Sequence, residues 1–539
     1  MDNQTKEPKS HRESITEMFL GISSMKNKLV LKGAFVGFLS GLVVISYRIG
    51  IHNADILREN IRKLVLNEPK FLILLFGMVF INSLVITKLV KSEPMSSGSG
   101  IPQIRGKILR QFDYNPFSVL FKKFVGGILA IVNGFSLGRE GPSIQLGGTI
   151  GMAVSKLWKA NKIEEKYLIT AGASAGLAAA FNAPLAGVVF ALEELHKSFS
   201  SSVLIVSMVA AIIADFVSKT VFGLNPALSF TLIQPIELRH YLLLLLLGVL
   251  AGIFGVIFSR ALLKISSLLD NIKLKVFLVS LLCIFLLFWF PEVLGGGHEL
   301  ILEIYYERKT IGMLLVLLIF KFLLTVLSYA TSAPGGIFLP MLAIGALLGD
   351  VVYNTLTAIS PLPGYKANFI VLGMVGYFTS VVRAPITGIV LITEMVGSFN
   401  HILELSVVAF SSYFTAELMR EEPIYESLLK RMLVKNARPE KHEESPEQDY
   451  HYDEKTLIEI PVNTGSELDG VMIKDFQWPK GCLVVLVKRG SAEIIPNGKL
   501  ILQGGDILTV LTSKKQSGEC KMYLISKATS QKPLDKASE

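Results

Sequence analysis

The chain is poor in charge. Of its 539 residues only 18% are Asp, Glu, Lys or Arg, while 51% are hydrophobic and the mean hydropathy is +0.51. Soluble domains carry about 25% charged residues, so the solvating surface is too small for the three soluble domains that this length would otherwise hold at roughly 150 residues each. A polytopic membrane protein is the class that remains. Cysteine is scarce as well. Cys283, Cys482 and Cys520 are scattered and form no CxxC, so no disulfide framework is expected. The eight histidines form no HExxH or HxxxH pair, so no zinc centre or other metal site is expected. No nucleophile–base set, phosphate loop or ligand cluster is present, so the chain is expected to be no enzyme and to hold no cofactor. Residues 1–32 lack a short apolar core and a small-residue cleavage site, so no cleaved signal peptide is expected. The net charge of +9 looks like a nucleic-acid signal until it is located. From Arg431 to the end, 16 basic residues face 16 acidic ones. The whole excess therefore lies in the apolar part, and a basic nucleic-acid tail is excluded.

What is present is a series of apolar runs between Gly33 and Glu417. The clearest are 71–90, 203–222, 240–263, 275–291 and 310–330, each near the roughly 20 residues a spanning helix needs. Shorter runs lie between them, interrupted by Gly and Pro. Lipid-exposed backbone cannot stay unpaired, so such broken helices must be buried or line a polar cavity, as in transport pathways. The basic start ahead of the first run predicts a cytoplasmic N-terminus. After Lys430 the pattern changes. Residues 431–453 read as a charged linker. Short β-like runs at 456–462, 482–488, 491–495, 499–502 and 507–512, separated by glycine turns, predict a small α+β or β-rich domain over 454–526. Residues 527–539 read as a disordered tail.

The apolar region repeats itself. Gly138-x3-Pro142-x4-Gly147-x3-Gly151 returns as Gly336-x3-Pro340-x4-Gly345-x3-Gly349, and Asn182-Ala-Pro through Glu193 returns as Arg383-Ala-Pro through Glu394. The offsets are 198 and 201 residues, and two ordered matches at one spacing argue against chance. The residues leave open whether the two repeats, about 33–230 and 240–418, are parallel or inverted. Sites in repeated transporters form at the repeat interface, from the ends of broken helices.

Five constellations carry chemistry. In Gly98-Ser99-Gly100-Ile101-Pro102 the glycines open the backbone, and a hydroxyl with free N–H groups stands at a helix start able to receive an anion; an ordinary turn fits the spacing equally. Gly138-Arg139-Glu140-Gly141-Pro142 puts two charges into a Gly/Pro break, which is costly at membrane depth and usually functional. A carboxylate and an anion are both favoured at a helix N-terminus, so Glu140 would compete with a permeant anion for one place and leave when protonated. Gly335-Gly336-Ile337-Phe338-Leu339-Pro340, the repeat partner, would contribute backbone donors from Ile337 and Phe338. Glu193-Glu194 ends an apolar run, as interfacial carboxylates or as a proton relay facing inward. Tyr425, just past the last apolar run, fits an aromatic belt or a phenol donating to an anion.

Together these motifs resemble the CLC family of chloride channels and chloride/proton exchangers, from about Gly33 to Lys430. The resemblance implies an α-helical polytopic membrane protein of CLC fold, a homodimer whose inverted repeats are built of tilted and broken helices over residues 33–430. It implies that Ser99 and Tyr425 hold the central anion, with Gly98, Gly100, Arg139, Gly141, Ile337 and Phe338 around it. Glu140 matches the gating and extracellular-side proton glutamate, and Glu194 the internal proton glutamate of the exchangers, where channels usually carry an apolar residue. Chloride/proton antiport is the function implied, with a passive voltage- or pH-gated chloride channel, or a ligand-sensing anion transporter, as alternatives. Serine at position 99 implies chloride as substrate, with bromide and nitrate tolerated, since nitrate-preferring relatives carry proline there and fluoride exporters methionine.

The C-terminal domain is too short for paired CBS domains. Ile494-Ile495-Pro496-Asn497-Gly498 and Gly504-Gly505-Asp506-Ile-Leu-Thr-Val are similar to the TrkA-C module. That resemblance implies a cytoplasmic regulatory domain that dimerises and in some proteins binds cyclic di-AMP or another nucleotide. Arg489, Ile495 and Pro496 are the candidate ligand contacts. The module points to a bacterial or archaeal plasma membrane, with both termini in the cytoplasm.

Overall fold

The computed structural model describes residues 11–436 and 455–529, apart from 198–199, 229, 231–234, 360–361, 363, 491 and 514–515, with side chains from Lys28 onward. The first ten residues, most of the 431–453 linker and the tail from 530 lie outside the described residues. The chain forms two compact units, one on each side of that linker.

The first half of the larger unit holds α1 (His11–Asn67), α2 (Leu72–Ser92), α3 (Ile101–Ile108), α4 (Pro116–Val132), α5 (Glu140–Leu157), α6 (Lys162–Phe181), α7 (Pro184–Phe190) and α8 (Ser201–Phe222). The second half holds α9 (Tyr241–Leu269), α10 (Lys275–Trp289), α11 (His298–Tyr306), α12 (Ile311–Ala330), α13 (Phe338–Ile359), α14 (Lys366–Val382), α15 (Pro385–Val396) and α16 (Ile402–Leu418); α17 (Ile424–Asn436) follows. Six helical segments among the described residues are long and apolar enough to cross a membrane, including Lys28–Asn67, Ser201–Phe222 and Leu238–Leu269. Helices α3, α7 and α11 have only 8, 7 and 9 residues and cannot span. Two expected boundaries move. With no proline between His11 and Gly33, helix α1 runs through the segment expected to stand apart up to residue 32, and α17 continues to Asn436, past Lys430.

The repeats are inverted, and their contacts are reciprocal. Gly138 donates its N–H to the carbonyl of Gly336 at 2.6 Å, and Gly336 donates back to Gly138 at 2.9 Å. These glycines are repeat equivalents, so residue i meets j as j meets i, the mark of a two-fold relation. Farther out, Glu193 accepts from the N–H groups of Ile386 and Thr387 (3.2 and 2.7 Å) at the start of α15. Its repeat partner Glu394 accepts from Leu185 and Ala186 (3.1 and 2.7 Å) at the start of α7. Each carboxylate satisfies first-turn donors that lack intrahelical partners. Asn182 (φ 57°) and Arg383 (φ 64°) end α6 and α14 in the same left-handed conformation. Inside each half two helices meet backbone to backbone: a Cβ on Gly147 would strike the Gly172 carbonyl, and one on Gly345 the Gly373 carbonyl. Small residues allow this approach.

The smaller unit is one antiparallel sheet of order β1-β4-β2-β3, with β1 (Lys455–Pro461), β2 (Leu483–Arg489), β3 (Ala492–Ile494) and β4 (Ile507–Ser513), covered by α18 (Ser517–Thr529). Ile458, Ile460, Val487, Leu508 and Val510 pack against Cys520, Leu524 and Ala528 of that helix. The run 499–502 makes only an isolated bridge, Met472 to Ile501. Helix α18 gives the α+β form of the expected domain, and it continues to Thr529, into the expected tail. Cys482, just ahead of β2, and Cys520 of α18 approach each other with their Cα atoms 7.4 Å apart.

Candidate functional site

Three broken turns meet where the halves bridge. Gly98 and Gly100, both with positive φ (56° and 91°), flank Ser99 and set the start of α3. The Gly138–Gly141 turn starts α5 and the Gly335–Ile337 turn starts α13. Gly335 donates to the Gly98 carbonyl at 2.9 Å, so all three are joined by backbone hydrogen bonds. A Cβ on Gly141 would lie 2.9 Å from the Ser99 carbonyl oxygen and 3.2 Å from the Gly336 Cα. Only glycine permits that approach.

Glu140 is fully buried in this junction. Neither carboxylate oxygen has a well-aligned hydrogen-bond partner among the described residues. The groups facing it are the N–H of Leu339 in the first turn of α13, its own N–H, and Arg139 Nε at 3.7 Å. The carboxylate therefore stands at the positive end of a helix from the opposite repeat. Ser99 is buried, and its Oγ is 3.4 Å from the Ile101 N–H. Tyr425 is fully buried at the start of α17, its hydroxyl unpartnered among the described residues. Ile337 and Phe338 are buried; Phe338 packs on Phe181, Phe190 and Phe378. The arrangement offers hydroxyl and amide donors, with an apolar wall, to something small and anionic.

A buried lysine holds each half's approach. Lys123 donates to the carbonyls of Ser96, Ser97 and Gly98 (3.1, 3.2 and 2.6 Å), fixing the turn that carries Ser99. Lys321, its equivalent 198 residues on, donates to Val293 and Gly295 (both 2.9 Å) ahead of α11. Sequence reading missed both, though their shared offset was a usable signal.

Glu194 lies apart, in a π-helical turn, Ala191–His196, that continues α7. Such turns are rare and favour functional positions. Its carboxylate points inward to Arg105 (3.2 Å) on α3, while neighbouring Glu193 points the other way, to α15. Arg105 also reaches Glu426 on α17 (3.4 Å), and Glu426 pairs with Lys197 (2.5 Å). Arg105, Glu426 and Lys197 were not foreseen.

In the smaller unit the expected ligand contacts separate. Arg489 forks onto Asp506 (2.8 and 2.8 Å) and bonds the Ile501 carbonyl (2.9 Å). Its hydrogen bonds to Asp506 hold that carboxyl below the usual carboxylate range. Arg489 is thus engaged within the fold, with its side chain still partly exposed. Ile495 is 85% exposed and Pro496 is half-buried, next to the edge strand β3. No group of His, Cys, Asp or Glu among the described residues is arranged to hold a metal ion.

Comparison with known proteins agrees with this geometry. Residues 78–417 match the voltage gated chloride channel family, and residues 457–524 match the TrkA-C domain. The chain is 32% identical to the H(+)/Cl(-) exchange transporter ClcA of Vibrio vulnificus, over 80% of this chain and 95% of that protein. It is 34% identical to ClcA of Vibrio campbellii, over 75% and 90%. Among solved structures, a slow cyanobacterial Cl-/H+ antiporter superposes with a TM-score of 0.72 at 31% identity, covering 76% of this chain and 99% of that one. A CLC-type fluoride/proton antiporter shares the fold, with a TM-score of 0.63 at 24% identity, covering 74% and 97%. This chain is a multi-pass membrane protein that belongs to the voltage gated chloride channel (CLC) family and carries a C-terminal TrkA-C domain.

Proposed function

We propose that this chain exchanges chloride for protons across a bacterial or archaeal plasma membrane, as a homodimer with both termini in the cytoplasm. The observation that carries the proposal is Glu140: a fully buried carboxylate at the N-terminus of α13, beside the turn that holds Ser99. A bare anion in hydrocarbon costs tens of kcal/mol. Converging helix ends, each worth up to about 2 kcal/mol in buried geometry, and direct bonds from the hydroxyls of Ser99 and Tyr425 replace its water. Ionised Glu140 and chloride compete for one electrostatic position, so chloride enters as the carboxylate leaves, and protonation stabilises the departed form. Glu194 brings protons from the other side. Because the two occupants exclude each other, chloride and protons move in opposite directions. The names of the ClcA relatives support the same reading. The mechanism needs no cofactor, metal or covalent chemistry.

The test is simultaneous chloride and proton flux from liposomes holding the purified protein. Glu140→Gln is expected to abolish proton movement and leave chloride flux. Glu194→Gln is expected to uncouple as well. Proton pumping that survives Glu140→Gln overturns the mechanism, and wild-type chloride flux with no proton movement establishes a channel. We further propose that the TrkA-C domain regulates transport through a small ligand such as cyclic di-AMP, with Arg489, Ile495 and Pro496 as contacts. Calorimetry of the full-length protein with cyclic di-AMP tests this, and absence of heat at saturating ligand removes that ligand.

A further inference from the structure

Four charged side chains form a chain of three ion pairs on the elements that carry the site. Arg105 pairs with Glu194 at 3.2 Å and with Glu426 at 3.4 Å; Glu426 pairs with Lys197 at 2.5 Å; Lys197 ends the π turn that holds Glu194. Each element brings a second residue. Helix α3 begins at the Ser99 turn, one helical turn before Arg105. Helix α17 begins with Tyr425, the residue before Glu426. The chain of pairs grades from buried to wet: side-chain exposure is 3% at Glu194, 9% at Arg105, 32% at Glu426 and 42% at Lys197. The outer pair is solvent-screened and adds little by itself. The inner pair is shielded, and removing one member leaves an uncompensated buried charge. The other groups near Glu194 are committed elsewhere. Glu193 caps α15, and His196 bonds Thr170 at 2.8 Å with Lys166 beyond it.

We propose that Arg105 is a positioning residue for exchange, holding the Glu194 carboxylate in register with the two elements that bind the anion. The proposal rests on the exchange reading above. Arg105 has two carboxylate partners, and this is the working point. When Glu194 takes a proton, the guanidinium keeps Glu426 as counter-charge, so it is never left buried and unpaired. The connection through α3 and α17 makes a shift of Glu194 felt at Ser99 and Tyr425.

The test measures protons carried per chloride by the full-length protein in liposomes. Arg105→Gln is expected to lower that ratio about fivefold, the low end of typical coupling between sites, while chloride flux persists. Arg105→Lys, which keeps the charge, is expected to restore most of the ratio; a purely space-filling role would not distinguish lysine from glutamine this way. Glu426→Gln, at the wetter end, is expected to lower the ratio in the same direction and covers the case in which Arg105→Gln does not fold. If the wild type exchanges and either Gln variant keeps the wild-type ratio, the proposal is overturned and the exchange reading stands. If the wild type moves no protons, the exchange reading falls first.

Discussion

At the scale of single residues, the site turns on how close three backbones come. Gly141 touches both the Ser99 turn and the Gly336 turn, so a methyl group there has nowhere to go. Gly141→Ala is expected to push the turns apart at a cost of about 1–3 kcal/mol, the usual range for overpacking. Chloride affinity measured by calorimetry should weaken about tenfold, the equivalent of 1.4 kcal/mol. Glu140 and Ser99 were readable from sequence because a charge or hydroxyl between glycines stands out in an apolar stretch. Arg105 was not. Its partners Glu194 and Glu426 lie 89 and 321 residues away, and a lone arginine on a short helix carries no local sign of either.

At the scale of elements, the halves are fastened by what each lends the other. Glu394 accepts two first-turn N–H bonds of α7, and Glu193 does the same for α15. Glu394→Ala is expected to destabilise the protein by about 1–2 kcal/mol, the upper part of the range for a lost cap, read as a lower unfolding temperature in detergent. Because the cap is remote from the three-turn junction, chloride affinity should hold. Loss of affinity together with stability would show that the cap also shapes the site. The spanning helices were predictable from run length, since 71–90 and 310–330 match α2 and α12 within two residues. Two elements were hidden. The π turn reads as a continuation of α7, because nothing in Ala191–His196 forbids regular helix. Helix α18 is short, and Met522, Tyr523 and Ile525 on its exposed side blur the apolar stripe of Cys520, Leu524 and Ala528, so its place was not legible in the sequence.

At the scale of the whole molecule, the two compact units are held by different forces. The smaller one has a thin core and a charged clasp, Arg489 to Asp506. Asp506 titrates below its unfolded value, near 3.9, because Arg489 holds the ionised form. Its contribution is therefore full above that value and is lost as pH falls through the lower, folded one. Acidification below about pH 4 is expected to lower the unfolding temperature of the small unit, and Asp506→Asn should remove that dependence while lowering stability at pH 7. Calorimetric scans of the full-length protein at several pH values check both. The duplication was plain in the sequence from its 198-residue offset, but the inversion was not, since sequence spacing carries no direction. The reciprocal Gly138–Gly336 bridge shows the two-fold relation between the halves. Self-complementary contacts of this kind would also form between two separate half-length chains inserted in opposite orientations, so an ancestor of half the size had the means to pair with itself. At equivalent positions one half kept Glu140 and the other Phe338, so the two ends of the path ceased to be interchangeable.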